Sequence, residues 1–342
     1  MYTLGQNGTI KTNLKQIVIS GNGSDVSKTD ALKGRAKRKL ITQSIALSLI
    51  DVAKAKGDDE KQNSYWNTYY CQNRVIVNDG KLYGKYCKNR SCTLCCSIRK
   101  AEIINKYLPT IKQWEEPYFV TLTIKACKAD KLNLMVSKVL QGFAIIREKH
   151  KKRYQRGKGV KLIGVKSLEC NFNPVKKTYN PHLHLIVANK EIAELLVSEW
   201  LLLWNRKGLF YTIGKAQNIK KVYSLETGLI EIIKYGTKIF TEPDMNKRGK
   251  QNSNYQIYVS ALDNIITSMK GKRIFERFGF NAEKTESFST NEPRVITNFE
   301  EWEFNPKMAD WENVNNEDLL SGYKLNTQLA SILESCINTS LH

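Results

Sequence analysis

Tyr179-Asn-Pro-His-Leu-His-Leu-Ile-Val187 is the most informative stretch of this chain, because it places two histidines inside an apolar run. The chain has only four histidines, and His182 and His184 are two of them. On a β-strand, residues two apart point to the same face, so these imidazoles lie side by side while Leu183 packs on the other face. Neutral imidazole is a common metal ligand, so the pattern favours a metal-binding strand. A half-exposed strand with two incidental histidines is the alternative.

A second informative stretch is Leu229-Ile-Glu-Ile-Ile-Lys-Tyr-Gly-Thr-Lys238. Its apolar spacing predicts a helix over 225–239. Glu231, Tyr235 and Lys238 then share one face of that helix. A carboxylate, a phenol and an amine on one face, with two histidines elsewhere, are typical of a nucleophilic site. An ordinary amphipathic helix with a solvated polar face is the alternative.

The order of these segments resembles the three motifs of the HUH endonucleases. An apolar strand over 118–124 comes first, the histidine strand follows, and a helix bearing Lys234, Tyr235 and Lys238 comes last. Within that superfamily, the chain is most similar to the rolling-circle replication initiators of small bacterial plasmids. The resemblance implies an α+β fold with an HUH nuclease core, in which helices flank an antiparallel sheet.

Further residues narrow the resemblance to the branch with a single tyrosine and a helper glutamate. Glu231 precedes Tyr235 by four residues, as in that branch. Leu168-Glu-Cys-Asn171 falls where the branch has a Leu-Glu strand just before the histidine strand. The segment 268–280 resembles the basic closing segment of its nuclease domain. The resemblance spans roughly residues 65–285.

The resemblance also implies a catalytic metal ion. Antiparallel strands would bring Glu169 beside His182 and His184. Two imidazoles and one carboxylate suit Mg²⁺ or Mn²⁺ and leave coordination positions open for oxygens of a scissile phosphate.

The same resemblance assigns roles to the helix residues. Tyr235 attacks the phosphate, which gives a 5′-phosphotyrosine and a free 3′-OH. Lys234 and Lys238 supply positive charge that makes the phenolate easier to form. Glu231 activates water, or the hydroxyl of a second strand, when the replicated strand is released. The implied enzyme is a nicking DNA endonuclease and strand transferase.

The charge of the chain indicates a polyanionic partner. Lys and Arg number 54 against 33 Asp and Glu, which gives a net charge of +21. Residues 289–342 carry nine acids and three bases, so their net charge is −6 and that of residues 1–288 is +27. Nucleic acid is the simplest partner for such a basic body. The sequence has no apolar run long enough to span a membrane and no signal peptide, so we expect a cytoplasmic protein without a membrane partner.

Basic segments supply the expected DNA contacts. The stretch 147–161 is rich in Lys and Arg, and we expect a hairpin-like loop there that lies on DNA, with a solvated loop as the alternative. The candidate DNA-binding residues of this stretch and of the closing segment are Arg147, Lys151, Lys152, Arg153, Arg156, Lys270, Lys272 and Arg273. The expected partners are an origin hairpin with its single-stranded nick site, and a host helicase and polymerase.

The cysteines predict a second, structural metal site. In a cytosolic protein, clustered cysteines indicate metal binding more often than disulfides. Cys71 and Cys87 flank a short hairpin over 75–83, and Cys92 and Cys95 follow, which predicts a zinc ribbon with four thiolate ligands. Cys96 is an alternative to Cys95, because neighbouring residues do not easily reach one ion. Reduced cysteines without a metal are the alternative to the site as a whole.

Composition and pattern divide the chain into five segments. They are a disordered N-terminus (1–28), a helical segment (29–64), a zinc-binding element (65–115), an HUH endonuclease domain (116–285) and an acidic C-terminal tail (286–342).

Three other classes of protein share some of these features. A relaxase has the same chemistry, but usually carries a third histidine and an N-terminal tyrosine. A transposase with the same nuclease fold and a zinc element is harder to separate from a replication protein. A non-catalytic zinc-containing DNA-binding protein explains the charge and the cysteines, but not the combination of Glu169, His182, His184 and Tyr235.

Overall fold

The computed structural model of the chain describes residues 16–19, 23–206, 211–232, 255–281, 293–327 and 329. The chain divides into two compact units. The first contains the described residues of the ranges 1–37, 72–86 and 286–324, and the second contains those of 38–71, 87–285 and 325–342. Helices occur together with antiparallel sheets, so the predicted α+β class is confirmed.

The described helices and strands follow one another along the chain. The first ten are β1 (Ile17–Ile19), β2 (Ser24–Asp25), α1 (Thr29–Ala55), α2 (Asp59–Tyr69), β3 (Arg74–Asn78), β4 (Lys81–Gly84), α3 (Thr93–Ile111), β5 (Tyr118–Thr123), α4 (Ala129–Gln155) and β6 (Gly164–Asn173). The others are β7 (Thr178–Val187), α5 (Lys190–Trp204), β8 (Asn218–Lys221), α6 (Leu225–Ile232), α7 (Tyr255–Met269), β9 (Phe275–Phe278), β10 (Arg294–Ile296), β11 (Glu300–Asn305) and β12 (Asp310–Asn313).

The second unit contains a five-stranded antiparallel sheet in the order β8-β5-β7-β6-β9. The histidine strand β7 is central, and it pairs with β5 on one side and β6 on the other. Val120 and Leu122 of β5 face Leu185 and Leu183 of β7 across the ladder, and all four side chains have no exposed surface. The alternation of these residues therefore gives the sheet one strongly apolar face.

The helices α4, α5 and α7 cover that apolar face. Phe143 of α4 lies against Phe278 of β9, with ring centroids 5.4 Å apart. Asn264 of α7 donates a hydrogen bond of 2.9 Å to the hydroxyl of Tyr179 in β7. These contacts form the core on the apolar side of the sheet. The opposite side, which carries the histidines, packs against other helices.

Two helices, α3 and α6, pack on the histidine face. Ile186 shares this face with His184, because the two residues are two apart in β7. A Cβ atom at Gly228 of α6 would lie 3.3 Å from Ile186 Cδ1, so the helix passes close to the strand there. Tyr107 of α3 contacts Phe275 of β9, with ring centroids 5.5 Å apart.

The basic stretch 147–161 begins as helix, so the prediction of a hairpin-like loop over it is wrong. α4 continues to Gln155. Lys, Arg and Gln are good helix formers, and their charge alone does not stop a helix. The helix ends where glycines allow a left-handed backbone, with φ of 70° at Gly157 and 80° at Gly159.

The first unit contains its own five-stranded sheet in the order β12-β11-β3-β4-β2. Asp79 and Gly80 have φ of 48° and 70°, as a two-residue turn between β3 and β4 requires, so the predicted hairpin is present. In this sheet Trp302 of β11 pairs with Val75 of β3. Trp311 of β12 is fully buried.

This sheet differs from the organisation that composition suggested. Within 286–342, which we expected to be a tail, β10, β11 and β12 are strands, and β1 and β2 lie in the N-terminal segment expected to be disordered. The hairpin that we assigned to the zinc element also belongs to this unit, whereas the four candidate cysteines belong to the other. Acidic residues do not prevent a strand when apolar residues alternate with them, as Trp302 and Phe304 do in β11.

Candidate metal centres and active site

The predicted ligands Glu169, His182 and His184 come together on the sheet face on which α3 and α6 pack. Glu169 of β6 pairs directly with His182 of β7. The Nε2 atoms of the two histidines are 3.0 Å apart. Glu169 Oε2 lies 3.5 Å from His184 Nε2 and 3.9 Å from His182 Nε2. One donor atom from each residue therefore faces a common point, as in a three-ligand metal site.

Hydrogen bonds at the far side of each ring orient the two imidazoles. His182 Nδ1 lies 2.9 Å from the backbone oxygen of Asn180, and since that oxygen only accepts, Nδ1 carries the proton. His184 Nδ1 lies 3.2 Å from the hydroxyl of Thr121. A ring held by its Nδ1 atom presents the lone pair of Nε2 to a metal ion, which is the usual arrangement around metal-binding histidines.

The chemistry of these donors fits a hard divalent cation. Glu169 and His182 are 5% and 3% exposed, so a carboxylate and an imidazole are buried side by side. Two lone pairs and a carboxylate that converge in a buried site repel one another unless a cation or a proton lies among them. A carboxylate oxygen and two imidazole nitrogens are donors that divalent metal ions accept.

Thr121 and Asn180 also support the site, although neither was predicted from the sequence. Asn180 Nδ2 donates to the backbone oxygen of Ile124, at 2.6 Å, and its Oδ1 accepts from Thr123 Oγ1, at 3.0 Å. The register pairs Thr121 with His184 and Thr123 with His182. The alternation Thr121-Leu-Thr123 in an otherwise apolar strand was the available signal, because it has the same period as the histidines.

Of the helix predicted over 225–239, the structure describes Leu225–Ile232. α6 begins at Leu225, near the hydroxyl of Ser224, which accepts from the backbone of Thr227 at 3.5 Å. At Gly228 the helix α6 packs on the sheet face that carries the candidate ligands. Glu231 directly precedes Ile232, the last described residue of this helix. Lys234, Tyr235 and Lys238 lie outside the described residues.

The four predicted cysteines form a second candidate metal centre. Their sulfur atoms lie within 4.8 Å of one another, and Cys95 Sγ is 3.6 Å from Cys71 Sγ and 3.7 Å from Cys87 Sγ. Cys92 caps the N-terminus of α3, where its sulfur accepts from the backbone of Cys95 at 3.5 Å. Four sulfur donors at such spacing are the ligand set of a structural zinc site.

Cys96 is directed away from this group. Its thiol donates to the backbone oxygen of Arg90, at 3.2 Å. The backbone nitrogen of Lys88 instead lies 3.3 Å from the sulfur of Cys95. Cys95 rather than Cys96 therefore belongs to the candidate site, which resolves the alternative that sequence spacing left open.

A buried lysine lies near the sulfur atoms, and it was not predicted from the sequence. Lys39 of α1 has no exposed surface, and its Nζ donates to the backbone oxygen of Tyr69 at 2.6 Å. Burial lowers the pKa of Lys39 to about 8, and the negative charge of Cys71 and Cys92 opposes that shift. A cation beside several thiolates reduces their mutual repulsion.

The candidate DNA-binding residues have different surroundings. Arg147 lies 2.6 Å from Glu276 of β9, so it forms an ion pair in the folded unit. Lys270 lies 2.6 Å from Glu60, and both of these side chains are largely exposed. The exposed members of the set are Lys151, Lys152, Arg153, Arg156, Lys270 and Arg273. Lys272 is half-buried, and its Nζ donates to Asn133 Oδ1 at 2.6 Å.

Similarities to known proteins indicate the family of the chain. A family profile described as "Replication protein" matches residues 81–320. A "Protein rep" of a Bacillus species is 25% identical over 206 residues, which cover 52% of this chain and 66% of that protein. A "Protein rep" of Bacillus amyloliquefaciens is 28% identical over 136 residues, with 37% and 39% covered. One of Staphylococcus aureus is 31% identical over 170 residues, with 46% and 72% covered.

The chain therefore spans less than two thirds of the length of the two Bacillus relatives. No solved structure matches it significantly. In the described part of the chain, no helix combines the length and the apolar character needed to span a bilayer. Because the profile covers more than half of the chain, the chain belongs to the family of rolling-circle plasmid replication (Rep) proteins.

Proposed function

We propose that the protein is a DNA endonuclease and strand transferase that nicks one strand of a plasmid origin to initiate rolling-circle replication. The observation that carries the proposal is the convergence of Glu169, His182 and His184 on the sheet face against which α6 packs. Tyr235 follows Ile232, the last described residue of α6, by three positions in the sequence. The site thus combines candidate metal ligands with a helix that leads to a nucleophile.

We propose that Glu169, His182 and His184 hold Mg²⁺ or Mn²⁺. When bound, the ion neutralises negative charge that develops on the phosphate oxygens during the displacement. The hydrogen bonds at Nδ1 keep the Nε2 atoms of both histidines directed at the ion. The burial of Glu169 limits the water that competes for its carboxylate.

In the proposed reaction, the hydroxyl of Tyr235 attacks the phosphorus atom of the scissile phosphodiester. A bond forms between the phenolic oxygen and phosphorus, the bond from phosphorus to the 3′ oxygen breaks, and the phenolic proton ends on that 3′ oxygen. The products are a 5′-phosphotyrosine and a 3′-OH that primes synthesis. Because free tyrosine has a pKa near 10, its phenolate lies about 4 kcal/mol uphill at pH 7. Lys234 and Lys238 reduce that difference by supplying positive charge.

Glu231 is proposed to act at termination. It removes a proton from water, or from the hydroxyl of the second strand, when the finished strand is released. Glu231→Ala should therefore retain the covalent adduct with Tyr235, while replication products longer than one unit length accumulate. Clean unit-length circles from Glu231→Ala would exclude the role.

A structural Zn²⁺ ion is proposed to bind the four clustered cysteines, Cys71, Cys87, Cys92 and Cys95. The 3′-OH has to be extended by a host polymerase while a host helicase separates the strands. The family membership favours replication over transposition or conjugation as the setting of the reaction.

The decisive experiment is the capture of a covalent adduct. The full-length protein is incubated with Mn²⁺ and a library of single-stranded oligonucleotides that have a randomised centre and a label at the 3′ end. Because the protein becomes linked to the 5′ side of the downstream fragment, the labelled fragment should migrate with the protein on a denaturing gel. Sequencing of the captured fragments gives the nick site.

Tyr235→Phe should abolish the adduct and retain DNA binding, because only one oxygen atom is removed. Tyr223→Phe is the matched control, since Tyr223 is 92% exposed and precedes α6. Adduct formation by Tyr235→Phe would disprove the assigned nucleophile. Retention of DNA by the wild-type protein without any adduct would support a non-catalytic DNA-binding protein instead.

A further inference from the structure

A basic groove lies beside the candidate active site in the second unit. It has a volume of about 560 Å³. It is formed by the loop between Cys87 and Cys92, called here the cysteine loop, by α3 and by the start of β9. Six cationic side chains and one acidic side chain line it. They are Lys88, Arg90, Arg99, Lys106, Lys272, Arg273 and, as the acid, Glu102. A groove with this composition attracts a polyanion.

Arginine side chains fix the walls of the groove. Arg90 donates to the backbone oxygens of Met269 and Lys272, which ties the cysteine loop to the segment before β9. Arg99 donates to the backbone oxygen of Lys88, at 3.0 Å. The groove is therefore built by contacts between separate elements, and it does not depend on one mobile side chain.

The register of the sheet connects the groove to the metal ligands. Ser167 of β6 pairs with His184 on one side and with Phe275 on the other. Cross-strand partners point to the same face, so Phe275 lies on the face that carries the metal ligands. Two strand spacings, about 10 Å, separate Phe275 from His184. Roughly three nucleotides cover that distance at the rise of a duplex strand.

Aromatic rings distinguish the groove from a general anion site. Tyr107 and Phe275 line it together, with ring centroids 5.5 Å apart, and both rings are only partly buried. Lys106 Nζ lies 5.7 Å from the centroid of the Tyr107 ring. Cations that follow a backbone, next to aromatic rings on which bases stack, are typical of grooves for single-stranded nucleic acid.

We propose that this groove binds the single DNA strand next to the nick site, with its cations on the phosphates and with Tyr107 and Phe275 against the bases. The proposal rests on the proposed function, because it identifies the strand in the groove as the one cleaved at the metal ligands. In this proposal the cysteine loop forms one wall of the groove that binds the DNA strand.

Binding of single-stranded oligo(dT) to the full-length protein tests the groove without knowledge of the origin. Lys106→Gln combined with Arg273→Gln removes two exposed cations from the groove, whereas Lys138→Gln combined with Arg206→Gln removes two exposed cations elsewhere in the same unit. Both double variants change the net charge equally. Two lost phosphate contacts should reduce the dependence of log K on log salt by about 1.4 and weaken binding about 25-fold near 0.1 M salt.

The groove variant should show both changes and the control variant neither. Equal affinity and equal salt dependence in the groove variant and the wild-type protein would overturn the proposal. Weakened binding of duplex DNA with unchanged binding of oligo(dT) would overturn the assignment to a single strand. The adduct assay separates this proposal from the proposed function. The groove variant could bind oligo(dT) more weakly while the wild-type protein forms no adduct. That pair of results would support DNA binding in the groove and contradict the proposed nuclease activity.

Discussion

His182 and His184 face each other through their Nε2 atoms, 3.0 Å apart, while the Nδ1 atom of each ring faces a hydrogen-bonding oxygen. Two ring nitrogens at this distance are compatible only if a cation or a proton lies near both. A metal ion and a proton therefore compete for the same lone pairs, and metal binding should weaken as the solution becomes acidic.

Removal of a candidate ligand should abolish or weaken metal-dependent cleavage. We expect His182→Ala and His184→Ala to abolish nicking, and Glu169→Ala to weaken it and to raise the Mn²⁺ concentration required. Direct titration with Mn²⁺, followed by electron paramagnetic resonance, measures binding independently of activity. Ser167→Ala is the control, because Ser167 lies between Glu169 and the groove without being a ligand. Unchanged Mn²⁺ affinity in all three ligand variants would exclude the site.

Thr121 should act through His184 rather than on the substrate. Thr121→Val removes the hydroxyl 3.2 Å from His184 Nδ1 and keeps the shape of the side chain. Loss of such a hydrogen bond typically weakens metal binding by roughly 10- to 100-fold. We expect Thr121→Val to shift the Mn²⁺ titration by that factor and Thr121→Ser, which retains the hydroxyl, to restore it. The same shift in both variants would mean that packing, and not the hydrogen bond, is responsible.

The cysteine group should bind one Zn²⁺ per chain, and adjacent cysteines should differ in their effect. Cys95→Ser removes a ligand, so zinc content and folding stability should both fall. Cys96→Ser changes a thiol that bonds the backbone oxygen of Arg90, so zinc should be retained. Elemental analysis after mild EDTA treatment checks both. A folded wild-type protein without zinc would leave the cysteines as structural thiols.

Protonation of Asp263 should make the protein less stable in acid. Burial alone would raise the pKa of its carboxyl group, but hydrogen bonds from Lys56 and Tyr65 override this effect and lower it below its ordinary value. The ionised carboxylate therefore stabilises the fold near neutral pH. That contribution is lost as the pH falls below about 4 towards the lowered pKa, since the group is then protonated in both states.

Asp263→Asn should be less stable than the wild-type protein by about 3 kcal/mol at pH 7, because Lys56 and Lys61 each lose an ion pair with the buried carboxylate. Urea unfolding at several pH values should show this difference shrinking in acid. Asp51→Asn, at an exposed position on α1, should follow the wild-type protein throughout. A difference that stays constant in acid would exclude Asp263 as its origin.

The side-by-side position of the two histidines was predictable because the relevant signal is local. A period of two places His182 and His184 on one face whatever surrounds the strand. The choice between Cys95 and Cys96 was not predictable, because it depends on where α3 begins. The helix begins at Thr93, so Cys92 is its N-cap and Cys95 lies in its first turn.

Two other features required information that composition does not contain. The charge of 147–155 suggested a loop, but helix propensity acts on each residue and outweighs repulsion between solvated lysines and arginines. The acidic segment near residue 300 suggested a tail, but its strand β11 pairs with β3, more than 200 residues away. A local pattern does not reveal which distant strand completes a sheet.

The pairing of β3 with β11 also orders events during synthesis of the chain. β9, the last strand of the sheet in the second unit, ends at Phe278. β3 pairs with β4, but it obtains its second partner, β11, only after residues 300–305 have left the ribosome. Until then, one edge of the β3–β4 hairpin carries unpaired backbone groups and is open to strands of neighbouring nascent chains. A message truncated before residue 300 should therefore yield a protein that retains β6 and β7 and aggregates through the edge of β3.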